Sequence, residues 1–243
     1  HRDGKTEVQP TGNILDWIRD TVILQPKIED ADLPFTGGAV GYFSYDIIHR
    51  FEPGVNPTST DEEVIAAYLL VDRFVVVDNL KGIVHLCALE HSRIAADDIL
   101  NHLEKTLATE PAPAPFHPLN QNELALDIPP SNVSQAEYEA MVDTAKEYIL
   151  AGDIFQVVVS QRFSKPLNVE PLALYRAIRH INPSPYLFYM HIQDVTLIGS
   201  SPEILVRKEG SRAIVRPIAG TRPRGKTEAD DLALEKELLA DTK

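Results

Sequence analysis

The sequence predicts an α+β fold, and three observations carry that expectation. Runs of β-branched and aromatic residues come in hairpin-like groups, amphipathic helical stretches are grouped beside them, and no strict strand-helix alternation links the two. Neither G-x-G-x-x-G nor G-x-x-x-x-G-K-[ST], the phosphate loops of nucleotide-binding α/β folds, occurs.

"NILDWIRDTVI" sets Ile14, Ile18 and Val22 four residues apart with Leu15 beside them, which predicts an amphipathic helix. In "GGAVGYFSYD" the density of Gly37, Gly38 and Gly41 predicts a close approach of this backbone to another element or to a ligand. From Ala66 to Glu90 the chain is apolar and β-branched around a turn cluster of Asp78, Asn79 and Gly82, so a long hairpin is expected, with a helix from about Ala95 to Leu107 after it.

Residues 110–130 contain six prolines and hold no period, which predicts a linker or surface strap between a region 1–109 and a region 131–243. Ser134 with Glu137 forms a capping box and Gly152 a stop, so a helix lies between them with Tyr138, Met141, Val142, Ala145 and Ile149 on a core-facing stripe. "IFQVVVSQRF" alternates as a strand, with Gln156 on the polar face, opposite Phe155 and Phe163. "PLALYRAIRHI" is a second helix running to the proline-broken "NPSPYLFYM". Three strand runs come next, "YLFYMHI", "VTLIGS" and "EILVRKEGSRAIVRPI", the last folded at Glu209, Gly210 and Ser211. Thr227 with Asp230 starts a final helix.

Composition bounds what this fold can do. The chain has 243 residues, with 23 Lys+Arg against 36 Asp+Glu, a formal net charge of -13. Such a charge argues against nucleic-acid binding, whose affinity comes from basic groups neutralising phosphates. Cys87 is the single cysteine, in an apolar alternating run, so no internal disulfide or cysteine zinc cluster is expected and a reducing cytoplasm is the simplest setting. No apolar run approaches the ~20 residues that span a bilayer, and the first ten residues hold no signal-peptide core. The chain starts at a histidine and ends inside a helical pattern, so it reads as part of something longer.

Against this acidity, "RPIAGTRPRG" stands out: Arg216, Arg222, Arg224 and Lys226 fall in eleven residues without an acid. A strand running into a Gly-Pro loop and a helix start offers backbone N–H groups and arginine forks suited to a carboxylate, and equally suits a solvated basic turn paired with surface acids. Upstream, "GSSPE" presents Glu203 beside a proline in an apolar setting, where a carboxyl could serve as a general acid.

Taken together, "GDIFQVVVSQRF", "NPSPYLFYM", "GSSPEILV" and "RPIAGTRPRG", in that order, resemble the chorismate-utilising enzymes, within them the anthranilate synthase component I family. The resemblance runs from about Phe35 to Lys243. It implies a two-lobed α+β fold with large antiparallel sheets flanked by helices, of which this chain is an incomplete part. The activity implied is amination of chorismate by ammonia to anthranilate and pyruvate, the committing step toward tryptophan, in the cytoplasm. Glu203 is implied as the general acid and Gln156 as the residue standing where water-using relatives carry a lysine base. Gly220 and Thr221 are implied as chorismate contacts through their N–H groups. Asn182, Ser184, Pro185, Tyr186, Leu187 and Gly199 are implied as a tryptophan feedback site, with Leu187 departing from the commoner methionine. Mg2+ is implied as cofactor, its glutamate ligands expected beyond Lys243, and a glutamine amidotransferase, component II, as partner. Ala219 stands where aminodeoxychorismate synthases carry an attacking lysine, which favours the tryptophan-pathway chemistry. Aminodeoxychorismate or isochorismate/salicylate synthesis remains the alternative chemistry, and a non-catalytic aromatic amino-acid sensor the alternative of another class.

Overall fold

The computed structural model describes residues 14–22, 33–52, 54–55, 64–109, 128–218 and 220–241. Contacts divide the chain into two compact units, His1–Ala114 with Met190–Thr196, and Pro115–Tyr189 with Leu197–Lys243. The expected linker over 110–130 therefore lies almost wholly outside the described residues, as does Ala219. Among the described residues no helix is long and apolar enough to cross a membrane.

In the first unit, helix α1 (Ile14–Thr21) precedes strand β1 (Gly38–Phe43), which pairs antiparallel with β2 (Ala66–Val71), Gly41 opposite Tyr68. The single long hairpin expected from Ala66 to Glu90 is not formed, because the chain breaks at Asp72. The hairpin proper is β3 (Arg73–Asp78) with β4 (Ile83–Ala88), while β2 turns its edge to β1. The physical reason is the glycine cluster. A Cβ on Gly41 would sit 2.0 Å from the Ala67 carbonyl oxygen and 2.7 Å from the Tyr68 Cα, so only glycine lets β1 come this close to β2.

Gly37, at φ 94°, turns the chain into β1 in the left-handed region that glycine enters without strain. The hairpin turn is tied by the Asp78 carboxylate, which accepts from the Leu80 and Lys81 N–H groups at 3.0 and 2.9 Å. After a short 3-10 turn (Tyr45–Ile47) comes α2 (Ile48–Phe51), and after β4 comes α3 (Arg93–Thr109). Edge-on ring pairs Phe35–Phe74 and Phe43–Tyr68 pack this unit. Cys87 is buried in β4, where desolvation pushes its thiol above the ordinary value, as suits a packing residue rather than a nucleophile.

In the second unit, α4 (Gln135–Ala151) begins on the expected capping box. The Ser134 hydroxyl accepts from Glu137 N–H, the Glu137 carboxylate accepts from Ser134 N–H, and Gly152 closes the helix at φ 83°. α5 (Pro171–Ile181) leads to the hairpin of β5 (Tyr186–Ile192) and β6 (Val195–Ser201), whose tip residues Met190–Thr196 group with the first unit. A short hairpin, β7 (Arg207–Glu209) and β8 (Arg212–Ile214), turns at Gly210, and α6 (Glu228–Ala240) starts at its Thr227 cap.

One strand expectation fails. Residues 154–163 form no ladder; their backbone pairing with the other described residues is limited to the Ser131–Phe163 bridge, with Asn132 N–H donating to the Arg162 carbonyl. A strand exists only where a neighbouring backbone accepts and donates, and none of the described residues supplies that edge beyond Pro130–Asn132. The alternation persists only in part: Val157 and Val159 line an apolar groove against Met141, Ala145 and Tyr148 of α4 while Val158 is more exposed, but Ile154 lines the groove too and Phe155, expected on the face of Val157, is fully exposed. Of the expected stripe on α4, Met141 and Ala145 form part of this groove's wall, and none of its five residues is buried. Of the described residues only Cys87 and Ile192 are buried hydrophobics.

Candidate active site

Glu203 sits on the chain between β6 and β7. The register of β7 with β8 pairs Arg207 with Ile214; carried four residues further along both arms it sets Glu203 opposite Ile218. The ladder has stopped by then, yet the contact is there, because the Glu203 carboxylate accepts the Ile218 N–H at 3.1 Å. Its own backbone is held by Ser201, whose hydroxyl donates to the Glu203 carbonyl at 3.1 Å. Between the splayed arms lies a cleft of about 480 Å3 lined by Glu203, Ile204, Leu205, Val215, Arg216 and Pro217. The hairpin register therefore places a carboxylate and a guanidinium at one cleft, Arg216 lying four residues before Gly220.

That turn is fixed by α6. The Arg222 guanidinium donates to Glu237 at 2.8 Å, to Asp241 at 3.1 Å, and to the Thr221 carbonyl at 3.0 Å. Arg224 donates to Asp231 at 2.6 Å, and the other Asp231 oxygen accepts the Gly225 N–H at 2.8 Å. The Gly225 N–H, and then Arg224, hold the Asp231 carboxyl below the ordinary carboxylate value; Glu237 and then Asp241 raise the already high value of Arg222. Arg222 and Arg224 are therefore committed to protein acids, while Arg216 has no ion-pair partner among the described residues. Gly220 and Thr221 are exposed, and neither N–H is consumed by a hydrogen bond among the described residues. Two N–H donors on a braced turn can receive a carboxylate.

Gln156 is exposed on the 154–163 segment, and nothing among the described residues bonds its side chain or joins it to Glu203. Asn182, Ser184, Pro185, Tyr186 and Leu187 follow one another along the α5-to-β5 connection and the start of β5, and Gly199 lies in β6. The Ser184 hydroxyl donates to the Asn182 side chain at 3.3 Å, and the Ser200 hydroxyl donates to the Asn182 carbonyl at 2.6 Å, clipping the connection to β6. Leu187 and Ser184 are half-buried; Pro185 and Tyr186 are exposed. A Cβ on Gly199 would meet the Phe188 ring at 2.2 Å, so Gly199 lets that ring lie across β6.

Sequence reasoning misses Ser200 and the α6 acids Asp231, Glu237 and Asp241. The α6 acids do leave a signal: an arginine-rich turn without acids runs into a helix whose acids recur at spacings of six and four, on the side where Leu234 and Leu238 are half-buried. Among the described residues no group of three or more His, Cys, Asp or Glu could hold a metal ion.

The family model described as "chorismate binding enzyme" matches residues 2–243. The match thus includes the stretch before Phe35, to which the motif resemblance does not extend. The chain is 40% identical over 262 residues to anthranilate synthase component 1 of Neisseria gonorrhoeae, covering all of this chain and 51% of that protein. It is 42% identical to anthranilate synthase component 1 of Thermus thermophilus, over 91% of this chain and 47% of that protein. Its structure resembles the crystal structure of anthranilate synthase component I from Streptococcus pneumoniae, with a TM-score of 0.74 at 31% identity, over 95% of this chain and 51% of that one. The chain spans about half the length of the curated relatives it matches. With helices and antiparallel hairpins of this arrangement, an α+β fold shared with those proteins, and a match over nearly its whole length, the chain belongs to the chorismate binding enzyme family.

Proposed function

We propose that the complete protein is an anthranilate synthase component I, a lyase that aminates chorismate with ammonia and releases pyruvate. One observation carries this reading: Glu203 is held by the Ile218 N–H at a cleft it shares with Arg216, on the arm that continues into Gly220 and Thr221. The names of the relatives at 40 to 42% identity favour this chemistry over the other uses of chorismate.

Chorismate is a dianion, and a carboxylate leaving water needs compensating donors. The free N–H groups of Gly220 and Thr221 supply them, and Arg216 adds positive field to the cleft. Ammonia adds at C2 of the ring as the C4–O bond breaks and the double bonds shift. Hydroxide is a poor leaving group, so Glu203 delivers a proton to it and water departs. Loss of the C2 proton and of the enolpyruvyl chain as pyruvate then yields the aromatic amine. Glutamine at 156 cannot take a proton from the nucleophile, and ammonia, unlike water, does not require that it should. The Mg2+ implied by the resemblance finds no ligand set among the described residues, where Asp231, Glu237 and Asp241 are engaged by arginines.

The proposal extends to a companion component that produces ammonia from glutamine, as the numbered names of the relatives suggest, and to a cytoplasmic setting. It also extends to tryptophan feedback at Asn182, Ser184, Pro185, Tyr186, Leu187 and Gly199. The Ser200 clip and the Phe188 ring brace the α5-to-β5 connection against β6, which supports a built site rather than a loose loop.

The test is product analysis of the complete protein given chorismate, ammonium and Mg2+. Fluorescent anthranilate is expected, whereas 4-amino-4-deoxychorismate, isochorismate or salicylate would replace this reading by the alternative chemistry. Calorimetry showing tryptophan binding with no binding of chorismate would replace it by a sensor.

A further inference from the structure

The basic turn is held by three anchors that run along α6. Near the helix start, a Cβ on Gly225 would lie 2.3 Å from the Asp231 nitrogen and 2.7 Å from the Asp230 carbonyl carbon, so the turn's backbone rests directly on the first helical turn. There Asp231 receives the Gly225 N–H and the Arg224 guanidinium on its two oxygens. Near the helix end, Glu237 and Asp241 grip Arg222, and a Cβ on Gly220 would touch Leu238 at 3.3 Å. The turn and the helix thus run antiparallel, and each acid of the set removes a donor that would otherwise compete for an incoming anion.

We infer that Asp231 is a positioning residue for substrate: by bonding Gly225 and Arg224 it fixes the turn so that the Gly220 and Thr221 N–H groups point outward, preorganised for a carboxylate. The inference rests on the proposed chorismate chemistry and deepens it, because it assigns the arginines of the turn to the helix and leaves substrate recognition to the backbone. Preorganisation matters because a donor pair that must first be ordered spends binding free energy on that ordering. Of the two Asp231 bonds, the one to Gly225 dominates. The Arg224 side chain is 91% exposed, and an exposed ion pair contributes little.

The experiment compares Asp231→Asn and Asp231→Ala with wild type in the complete protein. Asparagine keeps an oxygen for the Gly225 N–H and loses only the ion pair; alanine loses both. The expected result is a chorismate KM raised about tenfold in Asp231→Ala and no more than about threefold in Asp231→Asn, with kcat nearly constant in both, since an interaction acting equally in ground and transition states shifts KM alone. Amide exchange at Gly225, whose N–H Asp231 accepts, should accelerate in Asp231→Ala while α6 stays protected. A merely structural role would lower the melting temperature and the active fraction, hence kcat, with KM unmoved. Unchanged KM in Asp231→Ala, alongside wild-type synthesis of anthranilate, would overturn the inference and leave the proposed function standing. Accelerated exchange in a protein that makes no anthranilate would retain the clamp and reject the proposed chemistry. Should Asp231→Ala fail to fold, a tenfold KM rise in Asp231→Asn would contradict the assignment of the dominant bond to Gly225.

Discussion

Two stretches of the second unit carry candidate site residues, and they are held very differently. Residues 216–218 and 220–225 form no strand or helix, yet they are braced by arginine-carboxylate pairs, a backbone N–H to Asp231, and the contact of Ile218 with Glu203. Residues 154–163 have the cleaner secondary-structure pattern, but among the described residues they are tied down by hydrogen bonds only at the bridge at Phe163, the bonds of Arg162 to Asn132, the Ser131 hydroxyl to Gln161, and the Tyr138 hydroxyl to the Val159 carbonyl. A loop whose partners lie on a neighbouring helix can be ordered by local side-chain chemistry. A strand cannot, because its defining groups are on the backbone and require a second backbone.

If the two stretches are held in these different ways, Gly225→Ala should do the most damage. The added methyl meets backbone atoms of Asp230 and Asp231 that cannot swing aside, and forcing such an overlap costs about 1–3 kcal/mol. Thermal unfolding of the complete protein should show that loss, with chorismate affinity falling in parallel. On the other stretch, Tyr138→Phe removes the hydroxyl that donates to Val159 at 3.1 Å, worth about 0.5–1.5 kcal/mol. Exchange should quicken at 157–161 and leave 216–225 untouched; equal acceleration in both would show that the two are not independently held.

A smaller effect, about 1 kcal/mol, is expected for Ser134→Ala, which removes the cap of the helix against which Val157 and Val159 lie. The smallest is the response to acid. The Asp231 carboxyl is depressed when folded, so the contribution of the clamp is fully present above the unfolded value of about 3.9 and fades only as pH falls through the lower folded value. The protection of the Gly225 amide should therefore stay constant between pH 5 and 8, its exchange varying only as the intrinsic chemistry does, and extra opening should begin only below about pH 4.

The same contrast explains what could be read from the chain alone. The capping box of Ser134 and Glu137, the Gly152 stop, the Thr227 cap and the Gly210 turn are legible because each is a local device whose donors and acceptors lie within four residues. The antiparallel α+β class comes from such pieces. What is not legible depends on partners distant in sequence: Ala66–Val71 pairs with β1 rather than with the next hairpin, and 154–163 finds no edge. At the candidate site the arginine turn is visible as composition, but its destination is not, because charge runs do not announce which acids they meet. Glu203 is visible as a motif; its contact with Ile218 comes only from the β7–β8 register, four residues past where that ladder ends.

The decisive variant is Glu203→Gln in the complete protein, because glutamine keeps an oxygen for the Ile218 N–H and removes only the proton that the leaving hydroxyl needs. With ammonium as nitrogen donor and anthranilate fluorescence as readout, kcat should fall at least about tenfold, as loss of a general acid requires, while the chorismate KM stays within about twofold. Wild-type turnover in that variant would contradict the assignment of Glu203, and with it the site built around the β7–β8 hairpin.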